Sequence, residues 1–480
     1  MGQIPYRDFN MIIPPVGAFI YSVPFLLFGS NLIIFNLYQA LLLCVLFCFL
    51  FKLFKEKTWI ILVILMLTLP IPFIHVLFQG YNFLLILEFV ILMYLIKEKK
   101  NDYSIGILLG IFCLTKQTVG VLMCIPSVLY LFKDYKKTIK RFLGFLIPCF
   151  VFLIYLLLTK SFVQFFDLCL FGMFDFTVEN SGFSRVLSDF NFYLFILEMI
   201  FLIYLIIKYR KNDNYIKNLV YLLLFSSIAV PLFDYIHVSY FSFIIMFIFI
   251  DMIKVKNKML AFNSCLFASS FAIIWFLFIF GFRLPNIVYI NNYGYSVMPQ
   301  KEYKEITTVS EYITNNKNCI VLSDRAYLIK FAAKEKLSYY DLLNYGNHGY
   351  NGTDKLINMI RDEKDKYILI NMDDYERVDV GQQTNKEVMK FVIDNYEKVL
   401  KLDMYNVFIV VGIGIVVVFL ILFITFLIRG TSEKGLERTL TKYGNASARA
   451  QNNVINNNEE ILRETANKTA NIVKAIEVYD

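Results

Sequence analysis

Residues 31–54 read NLIIFNLYQALLLCVLFCFLFKLF, and the only charged residue among them is Lys52. An apolar run of this length matches the roughly 20 residues that a helix needs to cross the hydrocarbon core of a bilayer. The 480-residue chain is 58% hydrophobic, with a mean hydropathy of +0.57, and it repeats such runs. We predict further spanning helices at 58–77, 80–96, 141–159, 188–207, 217–233, 238–253, 259–282 and 407–428. The pattern is typical of a polytopic α-helical membrane protein.

Two apolar segments do not fit one simple span each. Residues 14–29 are short and contain Pro24, so this segment either lies in the interface or dips into it. Residues 103–132 are too long for one spanning helix and too short for two, and the polar residues 115–118 (Thr-Lys-Gln-Thr) lie at their centre. We predict a hairpin of two short or broken helices with a polar apex.

Lysine and arginine are concentrated in alternate loops, and this distribution orients the helices. The clusters follow the predicted spans at 52–57, 97–100, 133–141, 208–211 and 254–258, whereas the intervening loops are nearly free of cations. By the positive-inside rule the basic loops are cytoplasmic. This placement accounts for the net charge of +8 without a nucleic-acid partner, and it indicates an integral, multi-pass plasma membrane protein.

The same alternation divides the chain into regions. Residues 1–30 are predicted to form an extracytoplasmic or interfacial loop, 31–283 a multi-helix transmembrane domain, and 284–405 a small extracytoplasmic α/β domain. In that domain strand-like 319–323 and 367–371 alternate with helix-like 303–315, 326–335, 353–363 and 384–397. Residues 406–428 would form a C-terminal transmembrane helix and 429–480 a polar cytoplasmic tail.

Polar groups on the predicted outer side form the candidate site. Lys116 lies inside an apolar region, where a cation is costly and therefore a functional candidate, although snorkelling to the headgroups is the structural alternative. Arg7 and Lys116 could hold a lipid phosphate, and Asp8 could act as general base. The remaining candidates for binding sugar or phosphate are Tyr6, Gln79, Tyr81, Asn82, Gln117, Asp234, Tyr235 and His237. The eight cysteines show no metal-ligand spacing, and no cofactor is indicated; a divalent metal requirement stays open.

Two motifs resemble the GT-C superfamily of polytopic glycosyltransferases, in particular bacterial proteins similar to protein O-mannosyltransferases and aminoarabinose transferases. They are Gly2-x-Ile4-Pro5-Tyr6-Arg7-Asp8-Phe9, followed by Pro14-Pro15 and Leu27-Phe28-Gly29, and Gly106-x-x-x-Gly110, followed by Thr115-Lys116-Gln117. The resemblance covers residues 1–405 and implies transfer of a sugar from a polyprenyl-phosphate donor to an envelope glycan, lipid or protein. It also implies an acidic pair ending an earlier helix, and we therefore expect a further span upstream of Met1.

Two other functions remain open on sequence grounds. A transporter or flippase for lipid-linked saccharides also needs broken helices and intramembrane cations. Such a protein is expected to carry polar groups in both halves of the membrane, whereas the inner halves of these spans look apolar. A catalytically inactive, truncated homologue would share the same pattern.

Overall fold

The computed structural model describes residues 3–29, 31–54, 58–61, 63, 80–129, 134–172, 174, 190–211, 213–230, 237–242, 244–245, 266–270, 273–274, 286–290, 292, 294–316, 319–339, 341, 347–362, 367–376 and 385–396. All of them belong to one compact unit. The predicted span at 407–428, most of 58–77 and of 259–282, and the tail 429–480 lie outside the described residues.

The first half of the described chain is helical and apolar. The helices are α1 (Val16–Phe28), α2 (Leu32–Leu53), α3 (Gly80–Lys97), α4 (Asp102–Thr115), α5 (Gln117–Leu129), α6 (Tyr135–Leu158), α7 (Phe162–Phe166), α8 (Phe190–Lys208) and α9 (Asp213–Phe225). Among the described residues, α2, α3 and α6 are long and apolar enough to cross a membrane, and α1, α4 and α5 are shorter apolar helices. These features are those of a helical membrane protein.

Capping residues account for several helix boundaries. Asn31 ends the preceding loop and caps α2, because its side chain accepts a hydrogen bond of 2.8 Å from the Ile33 amide. Helix α1 continues through Pro24 and ends at Gly29, whose φ of 83° lies in the left-handed region. Helix α6 begins at Tyr135, six residues before the predicted start, because the Asp134 side chain caps it by accepting from the Lys137 amide.

The hairpin predicted within 103–132 is confirmed. Helices α4 and α5 are separated by Lys116 alone, and α5 folds back so closely that a Cβ on Gly120 would lie 2.4 Å from the Cα of Cys113. The two open ends meet at Arg141, which donates to Asp102 at 2.8 Å and to the Ser127 hydroxyl at 3.3 Å. This polar cluster closes the end of the hairpin opposite Lys116.

Glycines allow α4 and α6 to pack backbone to backbone. A Cβ on Gly106 would lie 2.0 Å from the carbonyl oxygen of Arg141, and one on Gly110 would lie 2.7 Å from that of Phe145. Gly144 makes the reciprocal approach, 2.3 Å from the Tyr103 carbonyl oxygen. Small residues at four-residue spacing permit such contact between membrane helices. The Gly106-x-x-x-Gly110 motif therefore has a packing role in this structure.

The second half contains short strands and amphipathic helices. Strands β1 (Ile287–Ile290) and β2 (Gly294–Val297) pair antiparallel, and β3 (Ile320–Leu322) and β4 (Ile368–Ile370) pair parallel. The helices are α10 (Gln300–Asn315), α11 (Ala326–Ala332), α12 (Gly352–Asp362), α13 (Met372–Glu376) and α14 (Lys386–Asn395). Both predicted strands and all four predicted helices of this region are present. The β1–β2 hairpin and α13 were not predicted.

Strand β3 separates two small apolar cores. Val321 packs in a cluster with Ile306 of α10 and Ile329 of α11, whereas its neighbours Ile320 and Leu322 pack in a cluster formed by α12 and α14. Successive residues of a strand point to opposite faces, so a continuous apolar triplet can be buried on both sides. This explains why all three residues of β3 are buried.

Candidate functional site

The N-terminal segment folds into a tight turn. The Tyr6 amide donates to the Phe9 carbonyl at 3.0 Å, and the Asp8 amide donates to that of Ile4 at 2.9 Å. Tyr6 itself has a φ of 68°, which costs a residue with a side chain about 1–3 kcal/mol. Its fully buried ring and its hydroxyl, which donates to the Ile13 carbonyl at 2.8 Å, hold it there. Tyr6 is therefore an anchor of the turn.

Arg7 and Asp8 form a two-bond pair at the tip of this turn. Nε of Arg7 donates to Oδ1 of Asp8 at 2.8 Å, and an Nη donates to Oδ2 at 3.1 Å. Oδ2 also accepts from the Ile4 amide at 2.8 Å. The Arg7 hydrogen bond in particular holds the pKa of Asp8 below its usual range. Arg7 keeps 44% of its side chain exposed, so its guanidinium is both oriented and open to an anion.

Residues from the second half of the chain form hydrogen bonds with this turn and with the residues on either side of it. Gln3 and Leu337 exchange two hydrogen bonds of 2.7 and 2.9 Å, and the Tyr339 hydroxyl donates to the Tyr6 carbonyl. Asn10 donates to the Asn347 carbonyl at 3.0 Å. These contacts place Leu337, Tyr339 and Asn347 against the N-terminal segment.

An ion pair between Asp167 and Lys355 also joins the two halves of the chain. Asp167, in the π-helical turn that follows α7, accepts from Lys355 at 2.7 Å and from the Tyr350 amide at 3.3 Å. Gly349 adopts a φ of 80° beside it, and a Cβ there would lie 2.5 Å from the carboxylate. Asp167 therefore joins the helical first half of the chain to the second half.

Lys116 lies at the break between α4 and α5. Its backbone is extended, with φ −152° and ψ 111°, so the helix stops at Thr115 and restarts at Gln117. Its ammonium group lies 3.4 Å from the Ile228 carbonyl oxygen and 5.8 Å from the ring centre of Tyr81. The second distance permits a cation–π interaction. The cation therefore lies at the N-terminus of α5, between Tyr81 of α3 and the Ile228 carbonyl.

Gln117 connects this break to the part of the N-terminal segment that follows the turn. Its side-chain amide donates to the Cys169 carbonyl at 2.9 Å and to the Ile12 carbonyl at 3.4 Å. The thiol of Cys169 in turn lies 3.5 Å from the Met11 carbonyl oxygen. Two sequence motifs that are about 100 residues apart are therefore brought together at Gln117.

Asn82 and His237 occupy buried positions near helix ends. Asn82 is 7% exposed in the first turn of α3, and its Oδ1 atom accepts no hydrogen bond from the described residues. His237 is 8% exposed, with its ring 6.5 Å from that of Tyr240 in an edge-on arrangement. The other candidates, Gln79, Asp234 and Tyr235, lie outside the described residues.

Sequence analysis missed two carboxyl groups within apolar helices. Glu88 is 6% exposed in the middle of α3, and its Oε1 lies 2.6 Å from the Thr115 hydroxyl. Glu198 of α8 lies 2.5 Å from the Ser242 hydroxyl. A single acidic residue inside an apolar run was the available signal, because ionisable groups are rare and costly there. Within the described ranges, no group of three or more His, Cys, Asp or Glu side chains could hold a metal ion.

Comparison with known proteins gives no relative for this site. No protein-family model, curated protein or solved structure matches the chain.

Proposed function

We propose that the protein is an integral membrane glycosyltransferase of the GT-C type. It would move a sugar from a polyprenyl-phosphate donor to an envelope glycan, lipid or protein acceptor on the extracytoplasmic face of the plasma membrane. The observation that carries this proposal is the position of Lys116 at a helix break whose next residue, Gln117, contacts Ile12 in the N-terminal segment that also contains Arg7.

The break at Lys116 suits a phosphate group. Helix α5 begins at Gln117, and the dipole of a helix favours an anion at its N-terminal end. Lys116 supplies a full positive charge at the same place. Tyr81 and the Ile228 carbonyl both contact the ammonium group and fix its position at this end of the helix.

Arg7 would supply the second phosphate contact. A guanidinium pairs with phosphate oxygens through two parallel hydrogen bonds, and Asp8 holds this guanidinium in a fixed direction. A carboxylate whose pKa lies below the usual range is a poor base, so we assign Asp8 a role in orienting Arg7 rather than in deprotonating the acceptor. The acidic residue that would act as base is left unassigned.

Asn82 is suited to a sugar hydroxyl. A buried amide oxygen without a donor costs about 1–3 kcal/mol, and a hydroxyl group of a bound ligand would recover that energy. Tyr81, its neighbour in the chain, contacts Lys116 and could present an aromatic face to the same ligand.

Transfer from a radiolabelled polyprenyl-phosphate sugar in proteoliposomes tests the proposal. We expect Arg7→Ala and Lys116→Ala each to abolish transfer, with normal membrane insertion. Lys52→Ala is the matched control, because Lys52 also lies near aromatic rings, 5.7 Å from Phe49 and 6.0 Å from Tyr94, but at the far end of α2. Full transfer by both site variants would refute the assignment.

A lipid-linked saccharide transporter is the second candidate, and Glu88 and Glu198 favour it. Their carboxyl groups lie within apolar helices, so the membrane interior is less uniformly apolar than the sequence suggested. Proteoliposomes separate the two functions. Movement of labelled lipid between leaflets without sugar transfer would support the transporter, and binding with neither activity would support an inactive homologue.

A further inference from the structure

Glu88 contacts the residue that directly precedes the Lys116 break. It lies in the middle of α3, and the Thr115 hydroxyl 2.6 Å away is the last side chain of α4. Both residues are buried: Thr115 is fully inaccessible to solvent, and Glu88 is 6% exposed. The contact joins two helices at the point where the hairpin changes direction.

The hydrogen-bond geometry around Thr115 favours a protonated Glu88. The Thr115 oxygen lies 2.6 Å from Oε1 of Glu88 and 3.0 Å from the Ile111 carbonyl oxygen. A hydroxyl group has one proton, so it cannot donate to both acceptors. If Glu88 carries a proton, its own O–H donates to Thr115, and Thr115 donates to Ile111. Both bonds are then formed, and no charge is placed in an apolar helix.

A second helix pair repeats the arrangement. The Ser242 hydroxyl lies 2.5 Å from Oε1 of Glu198 and 3.0 Å from the carbonyl oxygen of Val238, four residues earlier. The same carboxyl–hydroxyl–carbonyl chain therefore occurs twice, at distances normal for O–H···O hydrogen bonds. Glu198 is only partly buried, and no lysine adjoins Glu198 or Ser242 in the chain. This pair is therefore an internal control for a carboxyl–hydroxyl contact that positions no cation.

We propose that Glu88 is a neutral carboxylic acid that ties α3 to the last turn of α4 and so positions Lys116. Its role as a clamp follows from the geometry alone. Its role in binding a lipid phosphate rests on the proposed function. Glu88 is a positioning residue, because it acts through Thr115 and not on the substrate.

Hydrogen–deuterium exchange of the peptide covering 112–120 tests the clamp in the full-length protein in nanodiscs. Glu88→Ala removes the hydrogen bond between Glu88 and the Thr115 hydroxyl, and we expect exchange in this peptide to rise about tenfold, as for loss of one buried hydrogen bond. Glu88→Gln keeps a group that can donate to Thr115 and should stay close to wild type. Glu198→Ala should leave this peptide unchanged.

Infrared spectroscopy tests the proton. The carbonyl stretch of a protonated carboxylic acid should be present in the wild-type protein and should lose intensity in Glu88→Gln. If Glu88→Gln removes only carboxylate bands, Glu88 is ionised and the proposal is wrong. It is also wrong if Glu88→Ala leaves exchange unchanged, or if Glu198→Ala raises it equally.

Binding of farnesyl phosphate tests the functional part separately. We expect Glu88→Ala to weaken binding about tenfold and Glu88→Gln to restore it, with Lys116→Ala as the reference for loss of the cation. If the wild-type protein does not bind farnesyl phosphate, the phosphate site of the proposed function fails, whereas the exchange and infrared results still decide the clamp. If Glu88→Ala binds as tightly as wild type, Glu88 does not position Lys116.

Discussion

Replacing Gly106 with alanine should displace the helix that carries the Lys116 break. The added Cβ would lie 2.0 Å from the Arg141 carbonyl oxygen and 2.8 Å from the Arg141 Cα. Ordinary carbon contacts are about 3.5–4 Å, so α4 and α6 must separate by more than an ångström. Backbone atoms cannot rotate away as a flexible side chain can. We expect a destabilisation of at least about 1–3 kcal/mol, which is typical of overpacked cores.

Gly17→Ala is the matched control for this substitution. Gly17 is also a glycine in an apolar helix, but a Cβ there would meet the Tyr81 side chain at 3.2 Å, which a small shift relieves. Thermal unfolding of the detergent-solubilised protein should show a clearly lower midpoint for Gly106→Ala and little change for Gly17→Ala. Sugar transfer should fall with Gly106→Ala even below the unfolding temperature, because α4 ends at Thr115. Equal midpoints for the two variants would refute the argument from close packing.

Three further predictions concern topology and the second half of the chain. A reporter fused after Lys256 should read cytoplasmic and one inserted within 300–400 external; the opposite result would overturn the arrangement. Burial lowers the pKa of His348 to about 4, against its ordinary value of 6.5, so the unfolded state takes up its proton first as pH falls. The contribution of neutral His348 to the free energy of unfolding is therefore fully present above about pH 6.5 and decreases by about 3 kcal/mol as the pH falls to 4. His348→Phe should reduce this pH dependence of the unfolding free energy, as measured by denaturant titration. Lys330 and Asp341 form a buried ion pair of 3.0 Å. Lys330→Met should cost about 3–5 kcal/mol, and the added change Asp341→Leu should recover most of it; a double variant as unstable as the single one would contradict this reasoning.

Much of the helical architecture could be predicted from the chain itself. Apolar runs of sufficient length are helices in lipid because every backbone polar group must be satisfied within the segment. The break at 115–118 was predictable because polar side chains interrupt an apolar run there. The strands β3 and β4 were recognisable from short apolar triplets flanked by polar residues. Only their parallel pairing required the structure.

The contacts of the candidate site could not be predicted in this way. Arg7 and Asp8 are neighbours in sequence, but their two-bond geometry depends on the left-handed turn at Tyr6, which buried contacts with distant residues stabilise. Likewise, Gln117 reaches the carbonyl of Ile12 across 105 residues.

The sequence by itself determined that this chain is helical and suited to a membrane, because hydrophobicity and segment length are local properties. Tertiary structure decided which polar groups meet, because a hydrogen bond between helices depends on how their surfaces pack. Glu88 illustrates the difference. In sequence it is one acid in an apolar run, and only the approach of Thr115 to within 2.6 Å gives it a hydrogen-bond partner.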